Sequence, residues 1–569
     1  MQIIRLSVKI SKCQKALLNY EEALVVLKTC WKNIKKKHEK NADMLDEFLL
    51  VANEYISILI LMNRFEEAHD LVAEALGCIQ PNIQPTAFQK KITSLVISKA
   101  QIFYKLGYLE DAYDMFSKVQ AIISNGAKRN DLDIVQSMQM SEAVDYIECV
   151  LGVIAVDIEL SNLDGLDKIL DRLEGIVQSV LPAKDSDQAR KIKILRLAMC
   201  RDLLDFNGRN TLADQLANIY QRYDHYRLVR CEDFMQFVRE RVLYLIDNCK
   251  HDFALLRVEN ILSVLSPTKA EYWYNQFRLL QARCLTNLRK ATKAYDILQD
   301  ILQKKVLAKD KEANKLRDNR LFLDLHLELS ILHPNLGDNY LAREDLKNSY
   351  KCIRYAVIEY FQNEKIFSRI KPDKCLRLFT IYLDMANIER KMSDYPQAQK
   401  HLKYAEEILK KQFKELTLNM LYGSYLYLRS KINADLGDIN GADADMNMVR
   451  KIYSEHVEAG AGDFATIRLA SALKDIAGSL AAKDKFTESL QKYKEAFTLF
   501  KRIYPNELYR GVSALFNDMA NVCISFKKYD LAMEYIDKAM IINGKLCGED
   551  SIEMSTNYHT LGNLYSKKI

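Results

Sequence analysis

The stretch ALFNDMANVCISFKKYDLAMEYIDKAM (514–540) has the pattern of one complete helical hairpin. Ala520 and Ala532 are small residues at the points where two antiparallel helices would approach closely, and Tyr529 follows a short turn. Spacings of nine, three and seven residues from Ala520 through Tyr529 and Ala532 to Ala539 place these positions on the facing sides of two helices. The stretch therefore predicts two helices packed against each other.

The same turn, followed by a small residue that opens a second helix, recurs along the whole chain. In chain order, the twelve residues at this position are Ala23, Ala68, Ala112, Leu166, Ala213, Ala254, Ala294, Ala342, Ala398, Ala442, Ser489 and Ala532. Successive copies lie 40 to 56 residues apart, and those ending at Leu166, Ala254 and Ser489 depart from the pattern. Because one hairpin cannot bury its apolar face alone, such a series predicts a solenoid of stacked hairpins.

The repeated unit resembles the tetratricopeptide repeat (TPR), a helical hairpin with small and aromatic residues at fixed positions. The copy that matches best has Ala100, Phe103, Gly107, Ala112, Phe116 and Val119 at these positions. The last two units, KAMIINGKLCGEDS (538–551) followed by NYHTLGNLY (557–565), look most like the longer repeats of the kinesin light chain and nephrocystin group. The resemblance implies an all-α, right-handed superhelical solenoid of about twelve TPR-like hairpins plus a terminal single helix.

Breaks in the pattern predict how the array is divided. The segment QKKVLAKDKEANKLRDNR (303–320) has almost no large apolar residue and is interpreted as a charged helical extension or hinge. We expect a divergent N-terminal array over 1–302 and a C-terminal array over 321–569 whose last repeat is incomplete. The terminal helix either caps the array or is followed by more chain in the natural protein, and its internal-type pattern favours the second interpretation.

Composition limits which kinds of partner and which cellular location we expect. The chain has 82 basic and 76 acidic residues, a net charge of +6 over 569 residues, and no basic stripe of the kind that nucleic-acid binding requires. No apolar run reaches membrane-spanning length, and the N-terminus lacks the apolar core of a signal peptide. The twelve cysteines form no CxxC pair and are interpreted as reduced core residues. We expect a cytoplasmic protein, with nuclear, ciliary or exported placement left open.

The sequence offers little support for catalysis or for a cofactor. Nine histidines are dispersed, and His326 and His333, which would share a helix face, lack the further ligands of a metal site. The glycine-rich AGAGD (459–463) has no Lys-Ser/Thr pair after it and is interpreted as an inter-repeat loop rather than a phosphate loop. The basic stretch WKNIKKKHEK (31–40) is interpreted as a solvated helix end, with an acidic partner as the alternative. The sequence therefore predicts a non-enzyme without cofactor or metal.

In the TPR family, the first helices of successive hairpins line a concave groove, and the resemblance implies that this groove binds peptides. The candidate groove residues are Gln101, Asn387, Lys431, Lys474, Asn517, Asn521 and Asn563. Carboxamides can donate and accept hydrogen bonds, which suits an extended backbone that has no partner of its own. The alternative is that these residues only keep the surface soluble. The clamp with which chaperone-binding relatives hold a C-terminal carboxylate is not recognisable here.

Taken together, these patterns predict a non-enzymatic scaffold or adaptor that binds a peptide or helical segment of a partner protein in the groove. One alternative is a structural subunit of a large multiprotein assembly, and another is the non-catalytic TPR part of a longer protein. The expected partners are proteins, not nucleic acid, and no membrane insertion is expected. The oligomeric state is left open.

Overall fold

The computed structural model describes residues 2–16, 19–38, 44–79, 92–124, 138–159, 165–181, 186–221, 232–265, 271–288, 290–301, 376–413, 419–549 and 551–568, with isolated residues between these ranges. Its first hairpins are α1 (Gln2–Ala16) with α2 (Tyr20–His38), α3 (Leu45–Leu61) with α4 (Phe65–Cys78), α5 (Thr93–Lys105) with α6 (Leu109–Ile123), and α7 (Met140–Glu159) with α8 (Leu166–Val180). They are followed by α9 (Asp187–Asp202) with α10 (Phe206–Tyr220), α11 (Glu232–Asp247) with α12 (His251–Val264), and α13 (Glu271–Asn287) with α14 (Ala291–Ile301).

The C-terminal hairpins are α15 (Leu376–Lys391) with α16 (Tyr395–Gln412), α17 (Met420–Asp435) with α18 (Ile439–Glu458), α19 (Gly462–Ala482) with α20 (Phe486–Ile503), and α21 (Arg510–Ser525) with α22 (Tyr529–Cys547). The unpaired helix α23 (Ile552–Lys568) follows them. Each described first helix packs on its own second helix, and each second helix except α14 packs on the first helix that follows it. Most of residues 302–375, which follow α14, lie outside the described part of the chain. The all-α solenoid of TPR-like hairpins expected from the sequence is therefore confirmed. Residues 304–320, most of the expected extension, lie outside the described residues.

The small residue that opens each second helix marks where the two helices of a hairpin cross, and we call it the crossing residue. Eleven of the twelve crossing residues are described, and none of them is more than 6% exposed; Ala342 lies outside the described residues. Where the crossing residue is Ser489, its hydroxyl donates to the carbonyl oxygen of Ala477 on the partner helix at 2.7 Å. A departure from alanine is thus accommodated because the close approach supplies a hydrogen-bond acceptor.

The turn between the two helices contains a residue in the left-handed backbone region. In the hairpin of α21 and α22 this residue is Lys527, with φ 57°, and the backbone N–H of Lys528 donates to the carbonyl oxygen of Cys523 at 2.8 Å. Gly437, with φ 85°, holds the equivalent position between α17 and α18. This bond across six residues ends a helix in a Schellman motif, where glycine is favoured because it has no Cβ.

Exchanging the residues at these two turns should change stability in opposite directions. Lys527→Gly is expected to raise the free energy of unfolding by about 0.5–1 kcal/mol. In the folded state, a residue with a side chain pays roughly 1–2 kcal/mol for the left-handed conformation, which glycine avoids. Part of this gain is offset because glycine gives the unfolded chain more conformational entropy. Gly437→Lys should lower it by a similar amount, and a Cβ at Gly437 would meet no atom within 4 Å. Urea unfolding followed by circular dichroism measures both. Shifts of the same sign would contradict this account.

The solenoid also contacts itself between hairpins that are distant in sequence. Phe206 stacks on Phe464 with ring centroids 5.2 Å apart, and the backbone N–H of Phe464 donates to Asn248 Oδ1 at 3.3 Å. Lys250 forms an ion pair of 2.9 Å with Asp463. We call these contacts the junction; they join the first residue of α10 and the turn after α11 to the first turn of α19. The junction holds the C-terminal hairpins directly against the N-terminal ones.

Candidate functional site

The first helices of neighbouring hairpins lie side by side: α19 packs beside α21, and α21 beside α23. Their sides that do not pack on a second helix form one continuous surface, which we call the first-helix face. Lys431 on α17, Lys474 on α19 and Asn521 on α21 all belong to it. This is the surface on which the sequence predicts a groove.

Ion pairs connect the described first helices α15, α17, α19, α21 and α23, each to the next. They are Arg390–Asp435 at 2.8 Å, Lys431–Asp475 at 2.7 Å, Lys474–Asp518 at 2.9 Å and Arg510–Glu553 at 3.3 Å. Lys431 and Lys474, both predicted groove residues, are thus already paired with carboxylates. A ligand carboxylate would have to displace these partners, so the pairs argue against a clamp for an acidic tail.

The pairs make the middle of the first-helix face electrically balanced. Burial opposes the charged form of Lys474, but the carboxylates of Asp518 and Asp475 outweigh it and raise the pKa of this ammonium group. Burial and the neighbouring Asp475 carboxylate raise the pKa of the Tyr427 phenol well above its usual range, so the hydroxyl stays neutral. The Lys431 ammonium lies 5.4 Å from the centre of the Tyr427 ring, a cation–π contact. Lys431 and Lys474 therefore contribute two positive charges, and Asp475 and Asp518 contribute two negative charges.

Two acceptor oxygens in the same region have no hydrogen-bond partner in the described part of the chain. They are Oδ2 of Asp475 and Oδ1 of Asn517, both buried. Asn517 is only 8% exposed and lies one helical turn before Asn521. An unpaired buried acceptor costs about 1–3 kcal/mol, so a ligand that brings N–H donors to these oxygens would recover that free energy.

The remaining predicted residues differ in exposure and place. Asn521, Asn387 and Gln101 are half-buried, whereas Asn563 is exposed on α23, the helix that follows α21 on this face. Gln101 lies on α5, which is not one of the consecutive first helices that position the others. The structure thus places six of the seven predicted residues on consecutive first helices from α15 to α23, and leaves Gln101 apart.

Sequence reasoning missed the carboxylates of this face. Asp475 and Asp518 each lie 44 residues after the lysine with which they pair, close to one repeat length. Opposite charges one repeat apart on first helices are the signal that would have found them. Their presence changes the interpretation of Lys431 and Lys474 from free cations to members of a balanced network.

The described residues also bear on metal binding, thiol reactivity and membrane insertion. These residues contain no group of three side chains suited to holding a metal ion, and His326 and His333 lie outside them. Burial raises the pKa of the Cys200 and Cys284 thiols to about 12 and that of Cys523 to about 11, so these thiols stay protonated and weakly nucleophilic. In the described helices, no segment is long and apolar enough to cross a membrane.

Comparisons with known proteins give only distant similarities. No family model and no curated protein sequence matches the chain. The crystal structure of the APC/C hetero-tetramer Cut9–Hcn1 matches over 98% of this chain and 89% of that chain, at 10% identity and a TM-score of 0.46. A Rap protein complexed with Competence and Sporulation Factor matches over 70% of this chain and 98% of that chain, at 13% identity and a TM-score of 0.46. The apo form of the quorum sensor NprR from B. thuringiensis matches over 71% of this chain and 99% of that chain, at 14% identity and a TM-score of 0.41.

Proposed function

We propose that the chain is a non-enzymatic interaction scaffold, expected in the cytoplasm, that binds an extended segment of a partner protein on the first-helix face of its C-terminal array (321–569). The binding surface runs over α17, α19, α21 and α23. The observation that supports this proposal best is the buried Oδ1 of Asn517 beside Asn521, for which the described residues provide no hydrogen-bond partner. The longer C-terminal repeats, which resemble those of the kinesin light chain and nephrocystin group, would supply this surface.

The chemistry of the surface favours an extended backbone over a charged tail. An extended peptide presents N–H donors and carbonyl acceptors that have no partners of their own. Asn517 and Asp475 offer acceptors, and the carboxamide of Asn521 offers both a donor and an acceptor. Because the lysines and aspartates of this face neutralise one another, we expect a ligand with little net charge, and binding that depends weakly on salt.

The proposal predicts that removing the carboxamides removes the partner. The triple variant Asn517→Ala, Asn521→Ala, Asn563→Ala should weaken binding at least tenfold, because each lost hydrogen bond contributes about 0.5–1.5 kcal/mol. Affinity purification with quantitative mass spectrometry identifies the partner and measures its retention, and circular dichroism verifies the fold of each variant.

A matched control tests whether the loss is specific to the first-helix face. Asn207, Asn260 and Asn447 are exposed on second helices, so their triple alanine variant should retain the partner. Equal retention by both triple variants would contradict groove binding and favour the alternative of a structural subunit in a larger assembly.

A further inference from the structure

The junction lies on the same surface as the proposed binding residues. Phe464, Arg468, Ser471 and Asp475 follow one another on α19 at spacings of four, three and four residues. At 100° per residue, Phe464 and Asp475 are therefore only about 20° apart around the helix. Asp475 belongs to the first-helix face, since it pairs with Lys431 of α17. Phe464, which the junction contacts, thus belongs to the N-terminal part of the same face.

The turn after α11 covers this part of the face. Its residues Asn248, Cys249 and Lys250, which we call the strap, contact two neighbouring hairpins of the C-terminal array. The backbone N–H of Phe464 donates to Asn248 Oδ1 at 3.3 Å, and Lys250 forms its ion pair with the first turn of α19. The hydroxyl of Tyr504, in the connection between α20 and α21, donates to the carbonyl oxygen of Cys249 at 3.4 Å. The strap therefore holds the start of α19 and the connection that leads into α21.

The strap satisfies groups that a bound peptide could also satisfy. The N–H of Phe464 lies in the first turn of α19, where backbone N–H groups have no acceptor within their own helix. Asn248, which is 2% exposed, supplies that acceptor from the N-terminal array. Phe206 covers the ring of Phe464, with the ring centroids 5.2 Å apart. The strap and Phe206 thus occupy a donor and an aromatic surface that an extended partner segment would otherwise reach.

An arginine beside the strap has no counter-ion among the described residues. The Arg468 guanidinium lies 5.1 Å from the centre of the Phe464 ring, and no described residue forms an ion pair or hydrogen bond with it. Burial raises the pKa of the Cys249 thiol and of the Tyr427 phenol, and the charge of Arg468 partly offsets both rises. Arg468 therefore lies between the strap and the balanced ion pairs around Tyr427, where it offers a cation to a partner segment.

Solvent reaches the ion pair of the strap, unlike that of a similar contact in the N-terminal array. There, the end of α5 meets the starts of α11 and α13, since Glu232 accepts from Lys105 and, at 2.8 Å, from Trp273 Nε1. The charged side chains of that contact are 10% and 25% exposed, whereas those of Lys250 and Asp463 are 43% and 33% exposed. Exposed ion pairs contribute little to stability and are screened by salt. The strap is therefore the more easily opened of the two contacts.

We propose that the strap is an autoinhibitory contact, which covers the N-terminal part of the first-helix face until a partner segment displaces it. This inference rests on the function proposed above. In the open form, Phe464 and Arg468 join Asp475 in a surface that extends over about 17 Å of α19, the length of roughly five extended residues. A ligand shifts such an equilibrium only through contacts that differ between the two forms, and Phe464 and Arg468 supply these contacts.

A reversible disulfide holds the closed form for the test. A Cβ added at Gly462 would lie 3.6 Å from the Cβ of Phe206, a separation that suits a disulfide. In the full chain, the variant Phe206→Cys, Gly462→Cys should therefore lock the junction when it is oxidised and release it in dithiothreitol. Peptide mapping verifies the bond between positions 206 and 462. Because both forms have the same sequence, the strain of a side chain at Gly462, where φ is 83°, is common to both.

A release variant changes the strap alone and leaves the C-terminal array intact. Asn248→Ala, Lys250→Glu removes the acceptor of the Phe464 N–H and places a carboxylate against Asp463. Hydrogen exchange measured by mass spectrometry over residues 462–468 reports opening without any partner. We expect about tenfold faster exchange in the release variant than in the wild type, and slower exchange in the oxidised lock than in its reduced form. Equal exchange in all of these proteins would overturn the proposal.

The binding probe is a peptide selected on the release variant from a random phage-displayed library, and it must lose binding when the three asparagines of the first-helix face are replaced by alanine. Fluorescence anisotropy should give about tenfold weaker binding to the oxidised lock than to its reduced form, and about threefold tighter binding to the release variant than to the wild type. A probe that binds all these forms equally would overturn the strap proposal alone. The absence of any peptide that depends on the asparagines would overturn the proposed function and, with it, the strap proposal.

Discussion

Asp247→Ala is expected to lower the free energy of unfolding by about 2–3 kcal/mol, because it leaves the charge of Arg209 buried without a counter-ion. Arg209 is 1% exposed, and its Nη1 donates to Asp247 Oδ2 at 2.7 Å. Its guanidinium lies 5.7 and 5.2 Å from the ring centres of Phe206 and Tyr244, and its Nε and Nη2 have no hydrogen-bond partner in the described chain. Asp247 is therefore the one carboxylate that compensates this charge among the described residues.

A double-mutant cycle separates the buried charge from ordinary loss of packing. Arg209→Met keeps most of the side-chain volume and removes the charge, so the double variant Arg209→Met, Asp247→Ala should be more stable than Asp247→Ala alone. Urea unfolding of the four proteins gives the coupling free energy. A cost below about 0.5 kcal/mol for Asp247→Ala, or additive effects in the double variant, would contradict the account of this pair.

Gly152→Leu should be similarly damaging, for a steric reason. A Cβ added at Gly152 on α7 would lie 2.5 Å from Cζ of Phe116, a side chain on α6 that is 2% exposed. Forcing extra carbon atoms into a closely packed interface costs about 1–3 kcal/mol. Since the whole leucine side chain must fit, we expect a loss near the upper end of that range.

The same substitution elsewhere supplies the control. Gly175 lies on the exposed side of α8, and a Cβ there would meet no atom within 4 Å. Gly175→Leu should therefore stabilise the chain by up to about 1 kcal/mol, through the higher helix propensity of leucine. Thermal unfolding monitored by circular dichroism compares the two variants. Equal shifts of the melting temperature would show that Gly152 does not mark a close helix contact.

The hairpins could be predicted from the sequence because their determinants are local. The small side chains of Ala520 and Ala532 permit the close crossing of the two helices. These alanines are twelve residues apart, and the turn lies between them. Even the atypical copy at Leu166 forms a hairpin, since Gly165 with φ 71° supplies the left-handed residue before α8. Periodicity was thus sufficient for the fold in the described part of the chain.

The junction and the ion pairs could not be predicted in the same way. Asn248 and Phe464 are 216 residues apart, and no periodic pattern relates them; only the accumulated geometry of the stacked hairpins brings them together. The groove on the first helices stays a prediction. The ion pair between Lys431 and Asp475 could not be predicted from one hairpin, because the two residues lie one repeat apart.

The most direct test of the account is site-specific photo-crosslinking from two positions in the full chain. A benzophenone amino acid replaces Ser525, which is exposed one turn after Asn521 on α21, or Ile541, which is 58% exposed on the second helix α22. The account predicts that a partner protein crosslinks from position 525 through one extended segment and does not crosslink from position 541. Crosslinks from position 541 alone, or equally from both positions, would contradict binding on the first-helix face.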